Sequence, residues 1–151
     1  MAKIKKVVEP TFGIKSLALQ STDMQILHPL TKEGLVNAAL GKPICLNLVS
    51  QDSQIFSEIQ ASTLSKIKTN YEKTKVMPTT KETRQATYEL FIGLVVGWNE
   101  AAELFFKDEL GDDCKYSNDN AMKIMSKPEY FWLVKQIEDF IADRSHFFPK
   151  Q

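Results

Sequence analysis

The stretch YELFIGLVVGW, Tyr88–Trp98, is apolar on every side. A helical segment without a polar face belongs in the middle of a small domain. The run therefore reads as the second half of a central helix that restarts at Thr79 or Thr80, with Glu82 near its positive end and Tyr88, Leu90, Phe91, Leu94, Val95 and Trp98 in the core. Gly93 and Gly97 lie four apart, which allows a neighbouring element to approach closely. The same spacing would suit dimerisation of a membrane span, but about ten apolar residues are half of what a span needs.

Upstream, Asp52 or Ser53 is placed to cap a long helix, since either side chain accepts the unpaired amide protons of a first turn. Ile55, Ile59, Leu64, Ile67 and Tyr71 recur at roughly helical spacing, leaving Gln54, Glu58, Ser62, Lys66 and Lys73 for water. The helix ends before KVMPTT, where Pro78 and two threonines make a break. Further upstream, MQILHPL and KPICLNLVS alternate: Met24, Ile26 and His28 oppose Gln25 and Leu27, and Ile44, Leu46 and Leu48 oppose Cys45, Asn47 and Val49. That is the pattern of half-buried strands, joined through TKEGLVNAALGK as a wide hairpin. His28 precedes Pro29, which excludes helical geometry and fits a strand end.

Downstream, NEAAELFFKDELGDDCKY is part helix and part turn, with ELGDD as the clear turn. Ser117 caps NDNAMKIMS, whose Ala121, Ile124 and Met125 face one way. Lys127-Pro128 opens the last helix, because a proline in the first turn loses no needed amide proton. Tyr130, Leu133, Val134, Ile137, Phe140 and Ile141 then form a core-facing stripe that makes this helix a lid on the central one. The expected architecture is α+β and mostly α-helical, a small N-terminal β-hairpin followed by a bundle of about four helices. One domain spans 23–148, with the hairpin at about 23–50 and the helices at about 52–146. A partly ordered arm, 1–22, precedes it, and 149–151 form a tail.

The chain has 151 residues, of which 43% are hydrophobic and 25% charged, the make-up of an ordinary globular domain. Nineteen Lys and Arg balance nineteen Asp and Glu, and only Arg84 and Arg144 are arginines, so neither nucleic acid nor an anionic membrane is expected as a partner. The lysines of AKIKK near the start read as a solvated terminus. Cys45 and Cys114 lack CxxC spacing, and Cys45 inside PICLNLV reads as a small buried thiol. With no signal peptide at its start, the chain is expected in a reducing cytoplasm.

Chemistry is hard to find. His28 and His146 are far apart, and each lacks a short spacing to a carboxylate or a cysteine, so no metal site is expected. His146 reads as a surface imidazole. Asp108, Glu109, Asp112 and Asp113 in DELGDD lack the register and distal glutamate of a calcium loop, and read as a solvated acidic turn. No phosphate-binding, dinucleotide, nucleophile-elbow or zinc-protease motif occurs. The expectation is a protein without catalytic residues or cofactor that binds other protein. Phe147 and Phe148 lie beyond the periodic stripe; with Arg144 and Trp132 on the last helix and its end they are candidate partner contacts. The alternative is that the two phenylalanines fold back on the core.

Two phrases carry a resemblance. ILHPLTKEG…GKPICLNLVSQDSQIF resembles the opening of the tail assembly chaperones of long-tailed, siphovirus-type bacteriophages. VVGWNEAAELF…DDCKYSNDNAMKIMSKPEYFWLVKQIEDFIADRSHFF is similar to their second half, with Asp52-Ser53 and Asn120-Ala121 as anchors. The likeness runs from about Asp23 to Phe148; a longer insertion between the strands and ELGDDCKY in place of a plainer turn depart from the pattern. It implies a non-enzymatic chaperone that coats the tape measure protein and helps recruit the tail tube protein in the host cell cytoplasm, and is absent from the mature virion. It also implies a frameshift-extended form of the chain as a partner, and Phe148-Pro149-Lys150 is compatible with a slippery heptamer of the form C CCA AAA. The competing expectations are a structural connector or tail completion subunit and, behind that, a DNA-binding regulator. The last would need a basic recognition helix, and the final helix offers only Lys127, Lys135 and Arg144.

Overall fold

The computed structural model describes residues 21–148. The alternating segments form β1 (Thr22–Gln25) and β4 (Cys45–Leu48), paired antiparallel with Met24 opposite Leu46. Met24, Ile26, Ile44, Leu46 and Leu48 are buried while Gln25, Cys45 and Asn47 are not, as the period-two pattern marks within the strands; past the strand ends the pattern lapses, with Val49 buried and His28 half-buried. The connection is itself folded: β2 (Val36–Asn37) and β3 (Lys42–Pro43) make a two-stranded ribbon, and Leu27 bridges to Gly34. His28 closes the turn before the ribbon, its Nδ1 accepting from the amides of Leu30 and Thr31 at 3.1 and 3.2 Å. Cys45 departs from the expected buried thiol: it lies half-buried on the outer face of its strand, and it is Cys114 that is buried.

The apolar run that reads as one central helix is divided. Helix α2 (Thr80–Gly93) stops at Gly93, and Val95–Trp98 is strand β5, which pairs antiparallel with β4 and completes a three-stranded sheet in the order β1-β4-β5. Leu94 and Val95 are indeed buried, as is Ile92, but Tyr88, Leu90, Phe91 and Trp98 are only partly so. Burial on all sides arises because the chain passes from a helix packed on the body into the sheet, and short apolar runs do not reveal which period they follow. Asn99 then caps α3 (Glu100–Leu110): its Oδ1 accepts from the Ala102 and Cys45 amides at 2.9 and 3.2 Å, and its Nδ2 donates to the Pro43 carbonyl at 2.7 Å.

Helix α1 (Gln54–Thr74) is capped by Ser53, and α2 by Thr79 in a reciprocal capping box with Glu82, whose carboxyl is held below its usual range by those bonds. Gly111, at positive φ, ends α3; Ser117 caps α4 (Asn118–Met125); and a single 3-10 turn from Pro128 to Tyr130 leads into α5 (Phe131–Ala142). Helix α5 buries Leu133, Val134, Ile137 and Ile141, and packs against α2, where the Phe131 and Tyr88 rings sit 4.7 Å apart. The architecture is thus mostly helical, with two small sheets and a third sheet strand inserted between helices, which the hairpin-then-bundle expectation omits.

Side chains meet the backbone beside and on the larger sheet. Gln136 on α5 accepts from the amide of Leu27, two residues past β1, at 3.0 Å and donates to its carbonyl at 2.7 Å, while the Tyr116 hydroxyl donates to the Val95 carbonyl of the outer strand β5 at 2.7 Å. Replacing Gln136 by Ala strands both polar groups of one half-buried residue. We expect a loss of about 1–3 kcal/mol, read as a lower urea midpoint; an unchanged midpoint would mean that water replaces the amide without cost.

Candidate functional site

Two surfaces bear on binding, the C-terminal turn that the sequence singles out and the arm made by α1 and α2. The C-terminal turn is held from several directions. Asp143 caps it, accepting from the Ser145 amide at 3.0 Å and the Ser145 hydroxyl at 2.6 Å, bonds that hold its carboxyl below the usual carboxylate range. A carboxylate stabilised this way favours the folded turn above its ordinary pKa of about 4, and that contribution fades as pH falls through the lower folded value. Arg144 reaches across to Asp52, with Nε to Oδ2 at 2.8 Å, and so joins this turn to the loop that starts α1. His146 is not the expected surface imidazole: half-buried, it stacks on Phe140 with ring centroids 3.9 Å apart, and its Nδ1 lies 2.9 Å from the Phe140 carbonyl.

Phe147, read either as a partner contact or as folded back on the core, is 1% exposed and packs edge-on against Phe140, so it is a core residue. The stripe ends at Ile141, but the 3-10 turn swings the chain back, and that reversal returns the ring to the core without keeping helical period. Phe148 is half-buried. Trp132 is partly buried against the core with its ring 6.2 Å from Tyr130, and Arg144 is exposed but engaged by Asp52. The four candidates thus do not converge on one exposed apolar patch. The anchor positions likewise have internal roles: Asp52 holds Arg144, Ser53 caps α1, Ala121 is buried, and Asn120 donates to the Asp113 and Lys115 carbonyls at 3.0 and 2.9 Å.

The surface that sequence reading passed over is on α1. None of its 21 residues is buried. Phe56, Ile59, Thr63 and Ile67 are half-buried, and Gly93 lets α1 sit close on the end of α2: a Cβ there would come within 2.6 Å of Ile59 Cδ1. The rest of the expected inward stripe faces out, with Leu64 61% and Tyr71 42% exposed, and Ile55 exposed as well. Beyond α1, the turn to α2 carries Val76 at 60% and Met77 at 68%. The helix ends on Lys75, in the left-handed region, which donates its amide to the Tyr71 carbonyl at 2.7 Å. The missed signal is the pairing of that apolar stripe with a polar helix start: Thr80–Gln85 of α2 is exposed throughout, so the outer half of the arm has nothing to pack on.

Among the described residues no group of three or more His, Cys, Asp or Glu is arranged to hold a metal ion. Within DELGDD, Glu109 is taken up by an ion pair with Lys127 at 2.6 Å. Among the described residues, no helix is long and apolar enough to cross a membrane. In comparisons with known proteins, the chain matches no protein-family model, no curated protein and no solved structure.

Proposed function

We propose that the chain is a non-enzymatic tail assembly chaperone of a long-tailed bacteriophage, one that binds the tape measure protein and assists assembly of the tail tube in the host cell cytoplasm. The observation that carries a protein-binding role is the concentration of exposed large apolar side chains on one arm: Ile55, Leu64, Tyr71, Val76 and Met77 all lie on α1 or the turn that follows it. Leu64 and Tyr71, seven apart and so on one face of α1, together with the apolar turn past its end, are the kind of surface on which a client helix can bury its own stripe. The assignment to tail assembly rests on the sequence resemblance between Asp23 and Phe148.

Co-expression with tape measure fragments tests the reading. A fragment that is insoluble alone should stay in solution and co-purify with this chain, and a fragment that aggregates to the same extent in its presence would overturn the proposal. Mass spectrometry of purified virions separates chaperone from connector or tail completion subunit. A chaperone is left behind at assembly, so its peptides should be missing from particles, whereas recovery at the level of a structural subunit would assign it to the tail itself.

A further inference from the structure

The outer half of the arm is basic as well as apolar. Between Leu64 and Gln85 stand Lys66, Lys68, Lys73, Lys75, Lys81 and Arg84 against Glu72 and Glu82 alone, an excess of four positive charges in a chain with no net charge. Glu82 is already occupied by the capping box at Thr79. The side-chain ion pairs among the described residues involve Lys127, Lys135, Arg144 and His146, so none of the arm's cations is paired in this way. Along α1, Leu64, Lys68 and Tyr71 follow one another at offsets of four and three, which places a cationic side chain between two apolar ones on one face. Just past the helix end, Lys75 Nζ stands 5.9 Å from the Tyr71 ring centroid, and Val76 and Met77 follow it with exposed side chains.

From this face we infer that the arm docks an acidic amphipathic helix of another protein, its apolar stripe on Leu64, Tyr71, Val76 and Met77 and its carboxylates on Lys68 and Lys75. A second copy of this chain fits less well. Arm against arm sets like charge on like charge, and the large exposed apolar side chains elsewhere among the described residues, Leu30 and Val36 in the connection between β1 and β4 and Leu104 on α3, do not recur along a helix face, so they offer no stripe. Nucleic acid fits less well too, because Leu64, Val76 and Met77 cannot stack with bases and the one exposed ring, Tyr71, has Lys75 nearby. The inference rests on the protein-binding part of the proposed function and not on the identity of the client.

The test uses the full chain and two synthetic helical peptides, one with a leucine stripe bordered by glutamates and one with lysines in their place, followed by fluorescence anisotropy. The glutamate peptide should bind at least about tenfold more tightly than the lysine peptide, with the advantage shrinking as salt is raised. The variant L64S/Y71S should lose about tenfold or more for the glutamate peptide, and K68E/K75E should reverse the preference between the two. Circular dichroism checks that α1 is retained; should L64S/Y71S lose helix, the charge-reversal variant decides. Equal binding of both peptides, an unchanged preference in K68E/K75E, tighter binding of a single-stranded oligonucleotide at matched salt, or self-association that the peptide does not displace would each overturn the inference. Any of these could coexist with successful rescue of a tape measure fragment through another surface, so failure here is distinct from failure of the chaperone reading.

Discussion

Leu46→Lys is expected to abolish cooperative folding, while Asn47→Lys, one residue along the same strand, leaves it nearly intact. Leu46 is fully buried on β4, the middle strand of the three-stranded sheet, with Met24 opposite it on one side and Trp98 on the other. Lysine there gives up the burial of a leucine, worth about 1.5–3 kcal/mol, and leaves a charge without a partner in an apolar site, worth about 3–5 kcal/mol more. Set against a domain stability of about 5–15 kcal/mol, that removes most or all of it. Asn47 points to the other face, half-buried, where its Nδ2 donates to Asp23 Oδ1 at 3.0 Å, and a lysine there keeps a carboxylate partner. Denaturation of the two variants side by side checks the register: equal loss, or equal tolerance, would mean that the strand does not alternate as described.

The strand pair was legible because alternation and burial agree at Ile44, Leu46 and Leu48, each flanked by a more exposed residue. Helix starts were legible for a different reason. Ser53, Thr79 and Ser117 each accept an amide proton from the first turn, a local bond that needs no tertiary partner. What failed was whatever depended on neighbours distant in sequence. Val95–Trp98 becomes a strand because β4 presents a free edge on which it can pair; its β-branched Val95 and Val96, set off by Gly93, and the restart signal at Asn99 were the only local hints. The α1 stripe was expected to face a core, and its period is real. Ile59 meets the end of α2 at Gly93 and Ile67 is half-buried, whereas Leu64 and Tyr71 are exposed, and the outer end of α2 is itself polar and solvent-facing.

The same division applies to the candidate site. Adjacent phenylalanines past the end of a stripe invite a reading as spare apolar surface, and for Phe147 that reading fails because Asp143, Arg144 and His146 together bend the chain back. The exposure of the arm is not legible in sequence, because periodicity reports that a helix has an apolar side, but not whether anything covers it. Most of a helix's stability in a protein comes from packing of its apolar face, and on α1 that packing is limited to the contact with α2, with Ser53 and the left-handed Lys75 closing its ends. A client that covered the stripe would add to that stability.

Phe147→Ala is expected to cost about 3–5 kcal/mol, the range for deleting a buried aromatic ring and leaving a cavity. Phe148→Ser, at a half-buried position, should cost clearly less, and Arg144→Ala should cost at most about 1 kcal/mol because its pair with Asp52 is exposed on both sides. The ordering separates two roles for these residues. Were Phe147 a partner contact, its removal would leave the isolated fold unchanged and weaken client rescue. As a core residue that meets the Phe140 ring at 5.9 Å, it supports the last turn of α5 and, through Arg144 and Asp52, the loop from which α1 departs. Its loss should therefore lower the urea midpoint of the whole domain and speed amide exchange in both the C-terminal turn and the loop before α1. A Phe147→Ala protein with a wild-type midpoint, or one whose faster exchange stops at the C-terminal turn, would show that this turn does not brace the base of the arm.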